Sequence, residues 1–166
     1  MNTRTHIRIS LLILLGAFGL TGLVKAQEHL PPFEFEHVNG GLLRQQDLPK
    51  GRTVFVLFFS PDCDHCNRQA QLIQAELPLF RQATLVWVNA FHEVADIRAF
   101  QQKYFAGQPN FYFGKDNDWR FDSYFGESQV PSIYVYNPAG DRIASFVPKE
   151  GEFEEVEAQT LARLIQ

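Results

Sequence analysis

The sequence predicts an α/β domain in which buried strands alternate with helices. Thr53–Phe59 is a run of β-branched, aromatic and leucine residues, which is typical of a strand buried on both faces. A helical pattern follows it, and a second buried-type run, Thr84–Asn89, leads into another helical pattern. This alternation is typical of a central mixed sheet flanked by helices.

Short polar and alternating segments precede the central strand. Phe33–Glu36 alternates between apolar and charged residues, as a half-exposed strand does. Asn39–Gly41 predicts a turn, and Leu42–Leu48 predicts a returning short strand or turn. Pro49–Gly51 is a second turn signal before the central strand. We therefore expect an N-terminal strand extension of the sheet.

Two helices are predicted in the first half of the chain. Apolar residues at helical spacing follow Cys66, and Pro78 predicts that this helix kinks or breaks near Leu77. Glu93–Ala106 carries an apolar stripe of an amphipathic helix, and Gly107 is expected to end it.

The second half predicts a strand at Asn110–Phe113, a hairpin and a long final helix. Ile133–Tyr136 and Arg142–Val147 flank the turn signal Asn137–Gly140. The acid-rich stretch from Glu150 opens a helix that is predicted to run to Ile165, since acids in a first turn suit the helix dipole.

Asp116-Asn117-Asp118 invites comparison with a calcium loop, but the glycine and glutamate that an EF-hand requires are missing. A turn in which Asp118 caps a short helix through Tyr124 is the preferred interpretation. Seven aromatic residues surround this turn and could line a groove for a partner, although core packing is the default interpretation. They are Phe111, Tyr112, Phe113, Trp119, Phe121, Tyr124 and Phe125.

Residues 1–26 have the pattern of a signal peptide. Arg4 and Arg8 precede the apolar run Ile9–Val24, and Val24-Lys25-Ala26 predicts a cleavage site. The domain is then 27–166, and a retained N-terminal anchor is the alternative. Removing the segment changes the net charge from −4 to −7, because it holds three of the fifteen Lys and Arg residues and no acids. That charge argues against nucleic acid or anionic lipid as a partner.

Cys63 and Cys66 are the only cysteines, and they stand three residues apart between the central strand and its helix. A helix N-terminus offers free N–H groups and positive potential, which favour a thiolate at Cys63. Cys66 lies one turn further along, within reach of a disulfide. A loop this small constrains the unfolded chain little, so a catalytic pair is favoured over a structural disulfide.

A zinc half-site and two unconnected buried thiols are the other interpretations of these cysteines. Structural zinc requires four ligands, and His65 with one further histidine could complete a site only through a long-range coincidence. The position of the pair between strand and helix favours redox chemistry, so no metal or cofactor is expected.

The order of elements resembles the thioredoxin fold, and in particular the TlpA/ResA-like thiol-disulfide oxidoreductases. The resemblance covers nearly all of residues 31–166. It rests on the leading Pro-Phe strand, Lys50-Gly51, the Phe59–Cys66 motif FSPDCDHC, Val130-Pro131-Ser132 and the Asn137–Gly140 turn. Four positions depart from the family pattern: Asp62, Gln69, Gln71, which stands where many relatives carry a helix proline, and Leu57, which stands where thioredoxins bury an aspartate.

The resemblance implies that Pro131 is cis and lies beside the cysteines. A cis X-Pro bond exposes the preceding backbone, so Val130 could pair with an extended substrate segment near Cys63. An ordinary trans proline at the start of a strand is the alternative.

Charged neighbours are expected to modulate the Cys63 thiolate. Asp62 and Asp64 oppose it by like charge, whereas a charged His65 would stabilise it. His65 could equally be a solvated helix residue. The two carboxylates favour a moderately reactive thiolate and a reducing role.

The sequence therefore predicts a monomeric, periplasmic or secreted thiol-disulfide oxidoreductase, or a membrane-anchored one if residues 1–26 are retained. Cys63 attacks a protein disulfide and Cys66 resolves the mixed disulfide, with a second redox protein as partner. A dithiol oxidase or isomerase and a thiolate/His metal-delivery module are the alternatives.

Overall fold

The computed structural model describes residues 28–126, 128–149 and 152–166, and residues 1–26 of the predicted signal peptide lie outside them. The strands are β1 (Glu34–His37), β2 (Leu42–Arg44), β3 (Val54–Phe58), β4 (Thr84–Asn89), β5 (Phe111–Lys115), β6 (Ser132–Tyr136) and β7 (Arg142–Phe146). The α-helices are α1 (Asp64–Ala75), α2 (Val94–Phe105), α3 (Phe121–Phe125) and α4 (Ala158–Ala162). Two 3-10 turns lie at Gln45–Asp47 and Leu77–Phe80.

All seven strands form one mixed sheet in the order β2-β1-β5-β4-β3-β6-β7. β3, β4 and β5 run parallel to one another, while β6 runs antiparallel to β3 and β7 antiparallel to β6. β1 pairs antiparallel with β5 and carries β2 on its outer side. The predicted α/β class and the N-terminal strand extension are confirmed.

The central strand β3 is buried on both faces, as its composition predicts. Phe55 and Leu57 contribute to an apolar cluster with α1, α2 and α4, whereas Val54 and Val56 contribute to a second cluster with β1 and α3. Successive side chains of a strand point to opposite faces, so β3 anchors both layers of the core.

The direction of the strands collects four chain segments at one edge of the sheet. β3, β4 and β5 are parallel, so the loops that follow them leave from the same edge. β6 is antiparallel to β3, so the residues that precede it reach that edge as well. Ligands of open α/β sheets bind outside the carboxyl ends of the strands, which makes this edge the place to look for a site.

Several predicted bounds are confirmed. Thr84–Asn89 is β4, and the predicted helix that contains Pro78 ends at Ala75. Pro78 lies in the following 3-10 turn, because a proline inside an α-helix lacks the N–H that the helix needs.

The prediction of one long C-terminal helix from Glu150 is wrong. Glu150 and Gly151 lie outside the described residues, residues 153–157 have no regular secondary structure, and α4 covers only Ala158–Ala162. The Val156 N–H donates to Gln69 Oε1 at 2.8 Å, and Gln69 Nε2 donates to the Val156 carbonyl at 2.9 Å. These bonds occupy backbone groups that a helix would need.

The predicted helix cap at Asp118 is also wrong. The Phe121 N–H donates to Asp116 Oδ2 at 2.8 Å, and Asp116 is buried. Asp118 instead forms an exposed ion pair with Arg120 at 2.9 Å.

Core packing is confirmed for most of the predicted aromatic cluster. Phe111, Phe113, Phe121 and Phe125 are buried, and Tyr112 and Tyr124 are partly buried. Trp119 differs from them, because 63% of it is exposed.

Replacing Asp116 with alanine should destabilise the fold much more than the same change at Asp118. Asp116→Ala leaves the buried Phe121 N–H without its acceptor, which costs about 1–2 kcal/mol. Asp118→Ala removes only an exposed ion pair, worth less than about 0.5 kcal/mol. Urea unfolding of both variants measures the difference, and equal losses would contradict the assignment of the cap.

Candidate active site

Cys63 and Cys66 lie at the edge of the sheet where β3 ends and α1 begins. Cys63 is the N-cap residue of α1, and Cys66 lies in its first turn. Their sulfur atoms are 2.6 Å apart, with Cys63 partly exposed and Cys66 fully buried. The pair therefore offers an accessible sulfur with a shielded sulfur directly behind it.

Backbone groups face the Cys63 sulfur from two directions. The Cys66 N–H donates to Cys63 Sγ at 3.2 Å, and the Val130 carbonyl oxygen lies 3.9 Å from the same sulfur. A backbone donor at a helix N-terminus is the kind of contact that stabilises a negatively charged sulfur.

The Cys66 sulfur has a different environment. Burial, together with the hydrogen bond to Cys63, raises the pKa of the Cys66 thiol well above its ordinary value. The Ser60 N–H donates to Cys66 Sγ at 3.5 Å, and Leu57 belongs to the same apolar cluster. Cys66 therefore remains protonated at neutral pH, so the two sulfurs are suited to different steps.

Val130 and Pro131 reach this edge because β6 runs antiparallel to β3. The Val130–Pro131 peptide bond is cis, as the resemblance implies. The Val130 carbonyl oxygen lies 3.9 Å from Cys63 Sγ, so the residue that precedes the cis proline is beside the exposed cysteine.

The carboxylate of Asp62 has two hydrogen-bond partners that are not evident from its position in the sequence. Its carboxylate accepts hydrogen bonds from the Ser60 hydroxyl and from His92 Nε2, the latter at 3.0 Å. These bonds, first that of Ser60 and then that of His92, hold the pKa of Asp62 below its ordinary value. The side chain is 72% exposed, and Asp64 is exposed as well.

The contact between His92 and Asp62 could not be predicted from sequence spacing, since His92 lies thirty residues after Asp62. β4 runs parallel to β3, so the loop after β4 emerges beside the cysteines. The buried Asn89 at the end of β4 holds this loop, because its Oδ1 accepts the His92 N–H at 2.7 Å.

His65 contacts the segment before α4. Its Nδ1 lies 2.8 Å from Glu155 Oε1, and its ring packs on Phe153 at 5.0 Å between centroids. Arg68 Nε donates to the same Glu155 oxygen at 2.7 Å. Arg68 Nη2 also lies 2.8 Å from His65 Nδ1, so His65, Arg68 and Glu155 form one connected group.

Glu155 is a site residue that the sequence does not indicate, because it lies in the acid-rich stretch that is predicted to open a helix. Burial of its carboxylate acts to raise its pKa, but hydrogen bonds from Arg68 and His65 outweigh burial and hold the pKa below its ordinary value. Glu155 thus stays ionised at neutral pH and joins residues 153–156 to the cysteine-bearing helix.

The described part of the chain contains no cluster of three His, Cys, Asp or Glu side chains that could hold a metal ion. Within the same residues, no helix has the length and apolarity needed to cross a membrane.

Several solved structures are similar to this chain. One is a secreted Mycobacterium tuberculosis disulfide oxidoreductase homologous to E. coli DsbE, with 18% identity and a TM-score of 0.67 over 80% of this chain and 93% of that one. Another is M. tuberculosis DsbF in mixed oxidised and reduced forms, with 21% identity and a TM-score of 0.65 over 84% and 94%.

A thioredoxin-like protein from Aeropyrum pernix is similar at 12% identity, with a TM-score of 0.63 over 80% of this chain and 87% of that one. No protein-family model and no curated protein matches the sequence. At these identities the likeness establishes the fold, and the chain has the thioredoxin-like fold.

Replacing Glu155 with glutamine should remove a pH-dependent part of the stability. A lowered pKa means that the folded state binds fewer protons in acid than the unfolded chain. The stabilisation is therefore complete above the ordinary value of 4.5 and is lost as the pH falls through the folded-state pKa. Glu155→Gln should be up to about 1 kcal/mol less stable than the wild type at pH 7 and equal to it near about pH 2–3.

Glu154→Gln is the matched control, since Glu154 makes no ion pair within the part of the chain that the structure describes. Urea unfolding at both pH values measures the effect. A stability loss in Glu155→Gln that persists unchanged in acid would contradict the ion-pair explanation.

Proposed function

We propose that the protein is a thiol-disulfide oxidoreductase that reduces protein disulfides through Cys63 and Cys66. The observation that carries the proposal is the contrast between the two sulfurs. Cys63 is accessible and accepts a hydrogen bond from the N-terminus of α1, whereas Cys66 is buried, protonated and 2.6 Å away. The thioredoxin-like fold and the oxidoreductases among the similar structures support it.

In the first step the Cys63 thiolate attacks one sulfur of a substrate disulfide. The substrate S–S bond breaks, a mixed disulfide forms at Cys63, and the departing substrate sulfur takes up a proton. Cys66 then loses its proton and attacks Cys63 Sγ, which releases the second substrate thiol. Two electrons have passed to the substrate, and Cys63 and Cys66 are joined in a disulfide. A dithiol protein restores the reduced pair by the reverse exchange.

The substrate segment is proposed to lie against Val130 and Pro131. The position of the Val130 carbonyl beside Cys63 Sγ supports this, because an extended peptide could pair with that backbone while its cysteine is joined to Cys63. The proposed setting is the periplasm or the exterior of the cell, and this rests on the signal-peptide pattern of residues 1–26. The protein is proposed to act there as a monomer.

The reducing direction is proposed from charge. Asp62 is ionised and exposed next to Cys63, and Asp64 is exposed on the other side. Negative charges oppose a thiolate, and a less stabilised thiolate makes the reduced form less stable and the potential more negative. The alternative is a dithiol oxidase or isomerase, which would have a less negative potential.

The two cysteines should behave differently when each is replaced with serine. Cys63→Ser should abolish reduction of insulin disulfides, because the attacking sulfur is gone. Cys66→Ser should accumulate mixed disulfides with insulin, because the resolving thiol is missing. Non-reducing electrophoresis with mass spectrometry detects these species. Normal turnover by Cys66→Ser would refute the resolving role.

Replacing Asp62 with asparagine should make the protein more oxidising. The change removes a negative charge beside Cys63, so the reduction potential should become less negative by up to about 30 mV. Equilibration with glutathione buffers measures the potential. Asp141→Asn is the control and should not shift it, because Asp141 is an exposed acid in the turn after β6, and β6 runs antiparallel to β3, so this turn lies at the opposite edge of the sheet. An unchanged potential in Asp62→Asn would remove the charge argument for a reductase.

A further inference from the structure

Two large aromatic side chains are exposed at the edge of the sheet that carries the cysteines. Phe91 follows β4 and is 50% exposed, and Trp119 follows β5 and is 63% exposed. Their rings contact each other edge to face, with centroids 5.2 Å apart. We call Phe91 and Trp119 the aromatic patch. Single exposed apolar residues are ordinary on protein surfaces, but two adjoining aromatic rings beside a reactive thiol are not.

The patch is connected to the cysteine pair through residues that lie between them. Phe91 is next to His92, whose ring bonds to Asp62, the residue before Cys63. The ring of Phe91 also lies 5.5 Å from that of Phe58 at the end of β3. One side of a standard protein interface covers about 800 Å², a radius of roughly 16 Å, so a protein joined to Cys63 would extend over neighbours at this range.

The backbone at Trp119 shows that the exposed ring is maintained at a conformational cost. Trp119 has φ 56°, a left-handed conformation that bulky side chains rarely adopt. The turn that holds it is fixed by the bond from the Phe121 N–H to Asp116. A glycine would fit this turn without strain, so the tryptophan is not explained by the needs of the turn.

Charged residues around the patch are largely balanced. Lys115 pairs with Glu93 at 2.8 Å, and Arg120 pairs with Asp118 at 2.9 Å. Asp62 and His92 form a third pair. An apolar centre with a polar rim is the usual anatomy of a protein interface. Tryptophan is also among the residues that contribute most to binding at such interfaces.

The size of the patch favours a transient partner over a second copy of this chain. Aromatic side chains bury about 150–250 Å² each, so the exposed parts of Phe91 and Trp119 offer roughly 250 Å². That is about a third of one side of a standard interface, too little to hold a stable dimer. It is enough to orient a protein that is also held by a covalent bond at Cys63.

We propose that the aromatic patch of Phe91 and Trp119 binds an exposed apolar side chain of the protein whose disulfide reacts with Cys63. This inference rests on the proposed function and names its substrate class: a protein disulfide flanked by apolar surface. In the mixed disulfide, the partner's apolar side chain covers Trp119 while its sulfur is bonded to Cys63 Sγ. Small disulfides lack such a surface and react at Cys63 without using the patch.

Kinetics with two probes tests this directly. The reduced protein is mixed with insulin, a protein disulfide, or with hydroxyethyl disulfide, a small aliphatic one. Phe91→Ser and Trp119→Gly should each slow the reaction with insulin roughly fivefold or more, as truncation of a binding residue does, and leave the small disulfide unaffected. Leu79→Ser, at an exposed leucine before β4 and hence at the opposite edge, is the matched control and should change neither rate.

Trp119→Gly separates docking from folding. It removes the ring and also relieves the left-handed backbone, so its Tm should differ from the wild type by less than about 3 °C. A slower insulin reaction at unchanged stability supports a docking role. Equal slowing with both disulfides would overturn the proposal, as would an unchanged rate with insulin.

A trapped complex provides a second measurement. Cys66→Ser holds the mixed disulfide, and Trp87→Phe removes the buried tryptophan so that fluorescence reports Trp119 alone. Joining Cys63 to insulin, which has no tryptophan, should shield Trp119 from acrylamide quenching, whereas joining it to 2-mercaptoethanol should not. Identical quenching in the two adducts would refute docking at the patch. If the wild type fails to react even with hydroxyethyl disulfide, the proposed function itself fails.

Discussion

The hydrogen bond from the Cys66 backbone N–H to the Cys63 sulfur is the interaction on which this site depends. It makes a sulfur the cap of α1, so that the start of a twelve-residue helix and the position of the reactive group are the same feature. The bond requires that β3 end at Phe58 and that Ser60–Asp62 turn the chain sharply into the helix. The cap bond therefore sets the position of the Cys63 sulfur relative to the helix and to the loops around it.

Burial then separates the two cysteines. The core that β3 shares with α1 and α2 includes the fully buried Cys66, whereas Cys63 packs against its margin and stays partly exposed, so water has access to only one of the two sulfurs. Desolvation penalises a charged sulfur, which keeps Cys66 in its thiol form at neutral pH. Leu57 keeps this region apolar, so the chain lacks the buried carboxylate of thioredoxins at that position.

Two polar clusters flank the pair and differ in construction. On one side, the exposed Asp62 bonds to the buried Ser60 and the partly buried His92, which connects the loops after β3 and β4. On the other side, Glu155 draws His65 and Arg68 toward the segment before α4, and the buried Gln69 fixes that segment by two bonds to Val156. The His65 side chain is thus engaged by Glu155. The partners of the Cys63 sulfur are the Cys66 sulfur at 2.6 Å and the Cys66 N–H at 3.2 Å.

The sequence by itself determined the parts of this protein that depend on local composition. Buried strands at Thr53–Phe59 and Thr84–Asn89, the helix break near Pro78 and the Cys63–Cys66 pair at a helix start all follow from residue type and spacing. Contacts between distant segments were decided only by the tertiary structure. His92 reaches Asp62 because β3 and β4 are parallel, and Glu155 reaches His65 because Gln69 holds residues 153–156 in an irregular conformation. Local propensity favoured a helix there, but two hydrogen bonds from a buried amide outweigh it, and no pattern within a short window of sequence contains that information.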